Sequence, residues 1–507
     1  MLRKLLDLLK RRSAAAPAAA DVTALVADGD RLARIGSLTA ALTQYRAALA
    51  VDHGCLPALL GLGNAMVDLW MLDDAVAVYE RALVLAPHSD AIRSAVLFHR
   101  HYAAVIDAPA LFEAHRLAGA QLMQHAVAAL PPARKTPGNR RLRIGYVSPN
   151  FSRHSVGYFI EPVIRQHDRE QFEIYCYYAH AKSDEATARM RAMADGWRDI
   201  PESDGAELAA MIRADGIDVL VDLAGHSKAN RLAAFAHKPA PLQLTWLGYP
   251  DTTGLPAIDL RITDAIADPA PVADALASER LVRLDGGFLC YQPPAECPPV
   301  STHVNPVSSV VFCSFNNIAK LNPSMLRLWS EILRAVPGSR LLLKSASLNF
   351  TETADRVLES FDEFGIAAGR IELRGWAAQR EQHLQMYDGV DIALDTWPYN
   401  GTTTTCEALW MGVPVVTRAG NVHMSRVGAS LLHAAGLDDL VTHSGADYVE
   451  TAVALAGDEE RRRELRTILR RHLQESTLLD HAGFTRTLEQ VYRDCFDALP
   501  LDGRVQG

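Results

Sequence analysis

The stretch VDIALDTWPYNGTTTTCEALWMGVPVVT, residues 390–417, decides the fold of this chain. It begins with an apolar run typical of a buried strand, and an apolar helix opens near Glu407. Gly401 permits a sharp turn between the two, and residues 402–405 offer hydroxyls and backbone N–H groups at the helix start. Because a helix N-terminus carries about half a positive charge, this junction predicts a phosphate-binding site. One threonine would merely cap the helix, but four in succession exceed what a cap needs.

Length, composition and net charge limit the classes of protein to which this chain can belong. A chain of 507 residues is too long for one hydrophobic core, so we expect two or three domains. Hydrophobic residues make up 49% and charged residues 22%, which is the balance of an ordinary soluble protein. The net charge of −9 disfavours nucleic acid and anionic membranes as partners, because binding to either needs a basic excess.

The cysteines and the N-terminus indicate the compartment. The seven cysteines are scattered and form no CxxC pair, which favours a reducing compartment and argues against a zinc site. In residues 1–20 charges interrupt the leucines, which predicts a weak amphipathic helix rather than a signal peptide. No apolar run of about 18 residues occurs elsewhere. We therefore expect a cytoplasmic protein without a membrane span.

Residues 21–130 predict tetratricopeptide-like helical repeats. At an offset of 34 residues, Gly29 aligns with Gly63 and Tyr45 aligns with Tyr79. In that repeat, small residues let two antiparallel helices approach, and an aromatic side chain fills the gap. Two units are visible, and residues 91–130 predict a degenerate continuation, with an ordinary pair of helical hairpins as the alternative. Such arrays bind peptides or proteins, so this segment predicts recruitment of a partner.

The rest of the chain predicts two Rossmann-like α/β lobes, after a linker at 131–141 that is rich in helix breakers and charge. The first lobe spans 141–290 and the second spans 305–500, with a proline-rich stretch at 291–306 between them. In both lobes, apolar runs alternate with helix-length segments, which indicates parallel sheets covered on both faces. The predicted strands lie at 142–148, 172–178, 217–225, 242–248 and 260–263, then at 310–316, 340–345, 370–375, 390–397 and 414–418. Ligands of such sheets lie at the carboxyl ends of the strands, so we expect a site in the cleft between the lobes.

Polar side chains follow several of these predicted strands. In chain order they are His154 and His226 in the first lobe, and Asn317, Lys320, Arg380, His383 and Thr402 to Thr404 in the second. A random scatter would not put so many polar groups at strand ends.

Several long motifs resemble the O-GlcNAc transferase family of glycosyltransferases. They are VSPNFSRHSVGYF, DLAGHSKANRLAAFAHKPAPLQLTWLGYPDTTG, FNNIAKLNP, GWAAQREQHLQMY, DIALDTWPYNGTTTTCEALWMGVPVVT and SRVGASLL, in the family's order and after its characteristic repeats. The resemblance covers about residues 141–480. It implies a GT-B enzyme of two lobes that moves N-acetylglucosamine from UDP-GlcNAc to Ser or Thr hydroxyls of proteins, with inversion and without a metal.

In such a transfer the leaving group is UDP, whose diphosphate gains negative charge as the glycosidic bond breaks, so a positive group must meet it. Enzymes that use a metal commonly carry an Asp-x-Asp motif, and the one in this chain, Asp28-Gly29-Asp30, lies in the predicted repeats. We therefore expect no metal cofactor, and we expect the diphosphate to meet Lys320 and the helix start at Thr402.

The resemblance also implies roles for other residues of the second lobe. Asn317 faces the diphosphate, and Glu407 accepts the ribose hydroxyls. The uracil and ribose are held by Ala378, Gln379, Arg380 and His383. Asn317, Arg380 and Glu407 stand where animal members have Gln, Lys and Asp. The alternatives are an ordinary surface lysine at 320, an ordinary helix histidine at 383, and an acid at 407 that only favours the helix N-terminus.

His154 occupies the position of the family's proposed general base. A histidine near neutral pKa suits partial removal of a proton from an acceptor hydroxyl. The alternative is that His154 only hydrogen-bonds the sugar. For His226, capping of a turn and contact with the sugar are both open. We interpret Arg426 and Ser430 as packing groups.

Two departures from the family leave the acceptor open. The lobes are joined by a short stretch where animal members have a large insertion, and the repeats number two or three units. The donor is open because related branches of the family use other sugar nucleotides, such as GDP-fucose or UDP-glucose. A sugar-nucleotide epimerase and a non-catalytic repeat scaffold are two competing hypotheses for the function. The apolar pattern of residues 481–500 predicts a helix that crosses back over the first lobe or caps the second.

Overall fold

The computed structural model describes residues 21–126, 140–377 and 379–500. The helix predicted within 1–20, nearly all of the linker predicted at 131–141, and Ala378 lie outside these residues. Within them the chain divides into two compact units, with the division between His88 and Ser89. No helix of the described ranges is both long enough and apolar enough to cross a membrane.

The first unit consists of two helical hairpins that repeat the same contact. Its helices are α1 (Val22–Arg34), α2 (Leu38–Val51), α3 (Leu56–Asp68) and α4 (Leu72–Leu85). A Cβ on Gly29 would lie 2.5 Å from the Tyr45 ring, and a Cβ on Gly63 would lie 2.6 Å from the Tyr79 ring. Glycine is therefore needed where each tyrosine fills the gap between helices, which is the reason for the 34-residue spacing in the sequence.

Two further helices, α5 (Asp90–Arg100) and α6 (Ala108–His125), belong to the second unit together with the lobes. The sequence predicts this segment as a continuation of the repeat array, but its buried histidines bond to the first lobe. His115 Nε2 lies 2.7 Å from the Tyr249 hydroxyl, and His101 Nε2 lies 3.1 Å from Asp251 Oδ2. Gly119 lies so close to the backbone of Gly254 that a Cβ there would meet its carbonyl oxygen at 1.8 Å.

The first lobe contains a seven-stranded parallel sheet, with strand order β3-β2-β1-β4-β5-β6-β7. Its strands are β1 (Leu142–Ser148), β2 (Phe172–Tyr178), β3 (Gly196–Asp199), β4 (Val219–Asp222), β5 (Leu242–Thr245), β6 (Leu260–Thr263) and β7 (Arg280–Arg283). Its helices are α7 (Ser155–Gln166), α8 (Glu185–Met193), α9 (Gly205–Asp215) and α10 (Leu232–Ala236). The edge strands β3 and β7 were not predicted, because their sequences GWRD and RLVR are short and charged.

The second lobe contains a six-stranded parallel sheet, with strand order β10-β9-β8-β11-β12-β13. Its strands are β8 (Val311–Ser314), β9 (Arg340–Lys344), β10 (Ile371–Arg374), β11 (Ile392–Leu394), β12 (Val415–Arg418) and β13 (Val441–Thr442). Its helices are α11 (Pro323–Ala335), α12 (Thr351–Glu363), α13 (Arg380–Gln385), α14 (Thr403–Trp410), α15 (Val427–Ala434), α16 (Gly445–Gly457) and α17 (Glu459–Glu475).

The last helix, α18 (His481–Asp497), packs on the first lobe. Of the two predicted placements, it therefore adopts the one that crosses back over the first lobe. Its Phe484 ring stacks on Trp246 with 5.7 Å between centroids, and Glu489 lies 2.8 Å from His167 Nδ1. A second set of contacts joins the lobes directly. Arg426 donates to the carbonyl oxygen of Ile266 at 2.6 Å, and Ser430 donates to Asp264 at 2.5 Å.

Candidate active site

Each sheet has one place where the strand order reverses, and the polar strand-end residues lie there. In the second lobe this switch point is between β8 and β11, because the chain runs from β8 outward to β9 and β10 and then returns. Lys320 follows β8, and the threonine run follows β11. In the first lobe His154 follows β1, which pairs with β4 at the corresponding reversal. Open α/β sheets bind ligands in this crevice.

Asp395 fixes the loop between β11 and α14. The buried carboxylate accepts hydrogen bonds from Gly401 N at 2.7 Å, from Thr396 N at 2.8 Å and from the Thr417 hydroxyl at 2.7 Å. Burial raises the pKa of Asp395 to about 6, although these hydrogen bonds act in the opposite direction. Sequence analysis missed this residue, whose signal was an acid at the end of an apolar strand.

Lys320 lies beside this loop rather than in open solvent. Its Nζ donates to the carbonyl oxygen of Asn400 at 2.7 Å and lies 3.9 Å from the centroid of the Tyr399 ring. Burial lowers the pKa of Lys320 to about 8, and the charge of Asp395 partly opposes the change. A free surface lysine does not have these contacts, so the surface alternative fails.

The threonines at the start of α14 differ in their partners. Thr404 donates to Asn316 Oδ1 at 3.0 Å, whereas the buried Thr403 hydroxyl has no partner among the described residues, and Thr402 caps the helix without a side-chain bond. Asn316 was missed by sequence analysis. Its neighbour Asn317 is exposed, and its Oδ1 accepts from Ala319 N at 3.1 Å. Two adjacent asparagines give no sequence signal for which of them faces the threonines.

Glu407, on the second turn of α14, forms a cluster with α13. It is 5% exposed, and its two oxygens lie 2.9 Å from His383 Nε2 and 3.3 Å from Arg380 Nη2. Burial disfavours ionisation of Glu407, but the His383 hydrogen bond and the nearby charges, including Lys344, outweigh it and lower the pKa. The guanidinium of Arg380 lies 3.5 Å from the centroid of the Tyr158 ring, which belongs to the first lobe.

Several polar atoms of this cluster remain unused. His383 Nδ1 and Arg380 Nε are buried without a hydrogen-bond partner among the described residues. Buried polar atoms usually have partners, so these atoms indicate a polar ligand. Gln379, directly before α13, is exposed, and only its backbone oxygen contacts His383.

His154 lies in the first lobe at the N-cap of α7, the helix whose Tyr158 contacts Arg380. It is exposed, and its Nδ1 accepts a hydrogen bond from Val156 N at 3.2 Å. The neutral ring therefore carries its proton on Nε2 and presents a donor. The surrounding protein desolvates the imidazole and lowers its pKa.

His226 contacts protein atoms through both ring nitrogens. Its Nε2 lies 2.8 Å from the carbonyl oxygen of Thr253, and its Nδ1 lies 3.0 Å from the Ser94 hydroxyl on α5. Burial lowers its pKa to about 3. Because both ring nitrogens are engaged, His226 joins the first lobe to α5 and has no nitrogen free for a sugar.

The described residues contain one close group of His, Cys, Asp or Glu side chains arranged to suit a metal ion, namely His101, His115 and Asp251. It lies at the joint between α5, α6 and the first lobe, and it shares no residue with the strand-end site. The cleft instead offers a lysine, an arginine, a helix N-terminus and several neutral donors, which is the donor set for an anionic ligand.

Comparison with known proteins agrees with this architecture. The model of glycosyl transferase family 41 matches residues 111–291 and 300–488. The O-GlcNAc transferase of Thermobaculum terrenum, solved as a lysine-to-methionine mutant, superposes with a TM-score of 0.86 at 38% identity, over 94% of this chain and 91% of that one. This match confirms the predicted GT-B fold with two lobes after helical repeats.

Curated plant relatives show the same similarity over part of their length. The tomato (Solanum lycopersicum) protein named probable UDP-N-acetylglucosamine–peptide N-acetylglucosaminyltransferase SPINDLY is 44% identical over 390 residues. Its namesake from Arabidopsis thaliana is 43% identical over 390 residues. Each alignment covers 76% of this chain and 42% of the relative, so the chain spans less than half the length of these relatives. The sequence motifs, the two-lobe fold and the match of the family model to both lobes show that the chain belongs to glycosyl transferase family 41.

Proposed function

We propose that this protein is an inverting glycosyltransferase that moves N-acetylglucosamine from UDP-GlcNAc to Ser or Thr hydroxyls of proteins. One observation carries the proposal. Lys320 bonds to the loop that leads into α14, Glu407 on α14 bonds to His383, and the Thr403 hydroxyl and His383 Nδ1 are buried without a hydrogen-bond partner among the described residues. The names of the plant relatives specify this donor and a peptide acceptor for those proteins.

The donor would lie along α14. Its diphosphate would meet the Lys320 ammonium, the unpartnered Thr403 hydroxyl and the helix N-terminus, with Asn317 at the rim. Its nucleoside would meet Arg380 and His383, whose buried Nε and Nδ1 atoms have no partner in the described part of the chain. Gln379 directly precedes Arg380, so its backbone would lie at the edge of the base.

The transfer needs charge stabilisation where the bond breaks. The acceptor oxygen forms a bond to the anomeric carbon while UDP leaves with the electron pair of the broken bond. Lys320 and the helix dipole stabilise the charge that develops on the diphosphate, so the step requires no metal ion. A charge-assisted hydrogen bond contributes roughly 1.5–3 kcal/mol, which corresponds to about 10- to 100-fold in rate.

His154 supports the acceptor side of the reaction. With Nδ1 engaged by Val156 N, the ring offers Nε2–H as a donor to the sugar or to the acceptor. To act as a general base the ring must release Val156 N, and then either Nδ1 rotates to take the proton, or the ring proton moves to Nδ1 and Nε2 takes it. The donor role therefore follows from the observed contact, and the base role needs a change of tautomer or rotamer.

The helical repeats would recruit the acceptor protein, because paired helices of this type bind peptides. All seven cysteines are free thiols, which supports a reducing compartment such as the cytoplasm.

A panel of labelled sugar nucleotides, incubated with the purified chain and cell lysate, tests the proposal. We expect transfer from UDP-GlcNAc to protein, undiminished by EDTA, reduced about 10- to 100-fold in Lys320→Ala and unchanged in Lys182→Ala, at an exposed lysine of the first lobe. If the protein transfers sugar only from GDP-fucose or only from UDP-glucose, that nucleotide sugar is the donor and UDP-GlcNAc is not. UDP-GlcNAc turnover to a rearranged sugar would identify an epimerase, and binding without turnover would identify a scaffold.

A further inference from the structure

Three side chains from distant parts of the chain form a stack next to the candidate donor site. The Tyr102 and Tyr399 rings are stacked, with 5.6 Å between centroids and 19° between planes. The Lys320 Nζ lies 3.9 Å from the centroid of the Tyr399 ring. Tyr399 therefore contacts the ammonium as well as a tyrosine of the helical segment.

Each layer of the stack is held by its own neighbours. The backbone of Tyr399 is fixed because its carbonyl oxygen accepts from the Thr396 hydroxyl at 2.6 Å, in the loop anchored by Asp395. Tyr102 follows α5, is 8% exposed, and packs edge-on against Phe98 at 5.7 Å. The ring under Lys320 is thus supported from behind by a segment that precedes the region matched by the family model.

The stack stabilises the charged form of Lys320, which burial disfavours. A desolvated ammonium tends to lose its proton or to move toward water. The negative face of an aromatic ring favours the charged form without forming an ion pair that would compete with a phosphate. The bond from Nζ to the carbonyl oxygen of Asn400 uses one of three N–H groups, and two are left for an anion.

We propose that Tyr399 is a positioning residue of the donor site, which holds the Lys320 ammonium charged and aimed, and that Tyr102 supports it from the helical segment. This inference rests on the proposed function, because it takes the nucleotide diphosphate as the anion that Lys320 meets. The charged groups that face Lys320 are the Asp395 carboxylate and the positive end of α14.

The pH dependence separates positioning from mere packing. Replacement of the ring by Tyr399→Leu removes the negative face, so the pKa of Lys320 should fall by about half a unit to one unit. The pH at which kcat/KM falls on the alkaline side should decrease by the same amount. The pH above which UDP affinity falls should decrease with it. At pH 7.5 the smaller protonated fraction of Lys320 should lower the rate roughly 1.5- to 3-fold.

The experiment uses the full chain and measures UDP binding by calorimetry and sugar transfer between pH 6.5 and 9.5. Tyr399→Phe keeps the ring and should recover most of the activity and the wild-type profile. Tyr102→Leu should show a smaller shift in the same direction. Tyr175→Leu is the matched control, because Tyr175 contacts Arg143 at 5.9 Å on the first lobe and faces no donor-site residue.

The outcomes separate this inference from the proposed function. If wild-type protein binds no UDP, or if Lys320→Ala binds UDP as wild type does, the proposed donor site fails. If Lys320→Ala weakens binding but the Tyr399→Leu profile is unmoved or moves to higher pH, only the positioning role fails. Should Tyr399→Leu not fold, the Tyr102→Leu profile decides, because that variant leaves the ring over Lys320 in place.

Discussion

Both lobes have a buried acid at the strand reversal of their sheet, but the loops that the two acids anchor differ in their role. Asp222 ends β4 and Asp395 follows β11, and each is a buried acid beside the strand reversal. Each accepts hydrogen bonds from its own following loop and from a threonine of the next strand, Thr245 at 2.8 Å or Thr417 at 2.7 Å.

The loops that these acids anchor then diverge. In the second lobe the loop leads to Tyr399, under Lys320, and to the threonines of α14. In the first lobe it leads to His226, whose ring nitrogens are both bound to protein atoms. One scaffold thus builds a polar site in one lobe and a structural joint in the other. Fold alone does not tell the two apart, whereas the partners of each side chain do.

Lys320→Ala should have the largest effect on activity. Loss of the ammonium should reduce kcat/KM for the donor by about 10- to 100-fold, because a charge-assisted bond to the leaving group contributes roughly 1.5–3 kcal/mol. Steady-state kinetics measure this change. His226→Asn in the first lobe should instead lower the midpoint of thermal unfolding and leave the kcat of the folded enzyme nearly unchanged, and a large loss of kcat there would contradict the comparison.

Glu407→Gln should raise the donor KM by roughly 5- to 30-fold with a smaller change in kcat. The amide removes the carboxylate that contacts His383 and Arg380, so both side chains would be less well held for the nucleoside. Calorimetry with UDP checks the affinity directly. Glu161→Gln, in the ion pair of Glu161 with Arg189 on the first lobe, is the matched control and should bind UDP normally.

Asp395→Ala and Asp222→Ala should each lower the free energy of unfolding by about 1–3 kcal/mol, because each leaves backbone N–H groups without an acceptor. Urea unfolding measures both. Their effects on UDP binding should differ. The Asp395 variant releases the loop that carries Tyr399 and Asn400, so UDP affinity should fall several-fold, whereas the Asp222 variant should bind UDP as wild type does. Equal affinity losses would mean that the two anchors are not specialised.

The predictability of these regions from the sequence also differs. Interior strands such as β1 and β9 were predicted because a strand buried on both faces is a continuous apolar run. The edge strand β13 has two residues and carries no such signal. Lys320 and the threonine run were identified because they directly follow strands. Asn316 was not, because its partner Thr404 lies 88 residues away along the chain, and Asp395 was not, because one of its partners, Thr417, lies on the next strand, 22 residues away.

The stack of Tyr102 on Tyr399 illustrates the same limit. Its rings lie in separate segments, one before the lobes and one inside the second lobe, and neither is in an unusual local motif. The unit to which the helices after residue 89 belong is equally hidden in the sequence. Helical periodicity identifies a helix, but only the contacts of His101, His115 and Gly119 decide which unit it joins.

The smallest predicted effect concerns pH and tests whether the two anchors are energetically alike. Burial raises the pKa of both Asp222 and Asp395 to about 6, with hydrogen bonds opposing it. A raised acid pKa means that the folded protein binds the proton more tightly than the unfolded chain. This contribution to stability is therefore complete below the unfolded pKa near 3.8 and is lost as pH rises through about 6.

Between pH 7 and 5, each acid should add roughly 1 kcal/mol to the free energy of unfolding. Asp222→Asn and Asp395→Asn replace a titrating acid by a neutral group that still offers one acceptor oxygen, so each should remove its share of that gain. The measurement is the difference between wild type and variant in urea unfolding at both pH values. Other groups, such as His226 with its lowered pKa, act in the opposite direction and cancel in this difference. If the gain in free energy of unfolding between pH 7 and 5 survives in one variant but not in the other, the two acids ionise differently. The lobes would then differ in their electrostatics as well as in the loops that their acids hold.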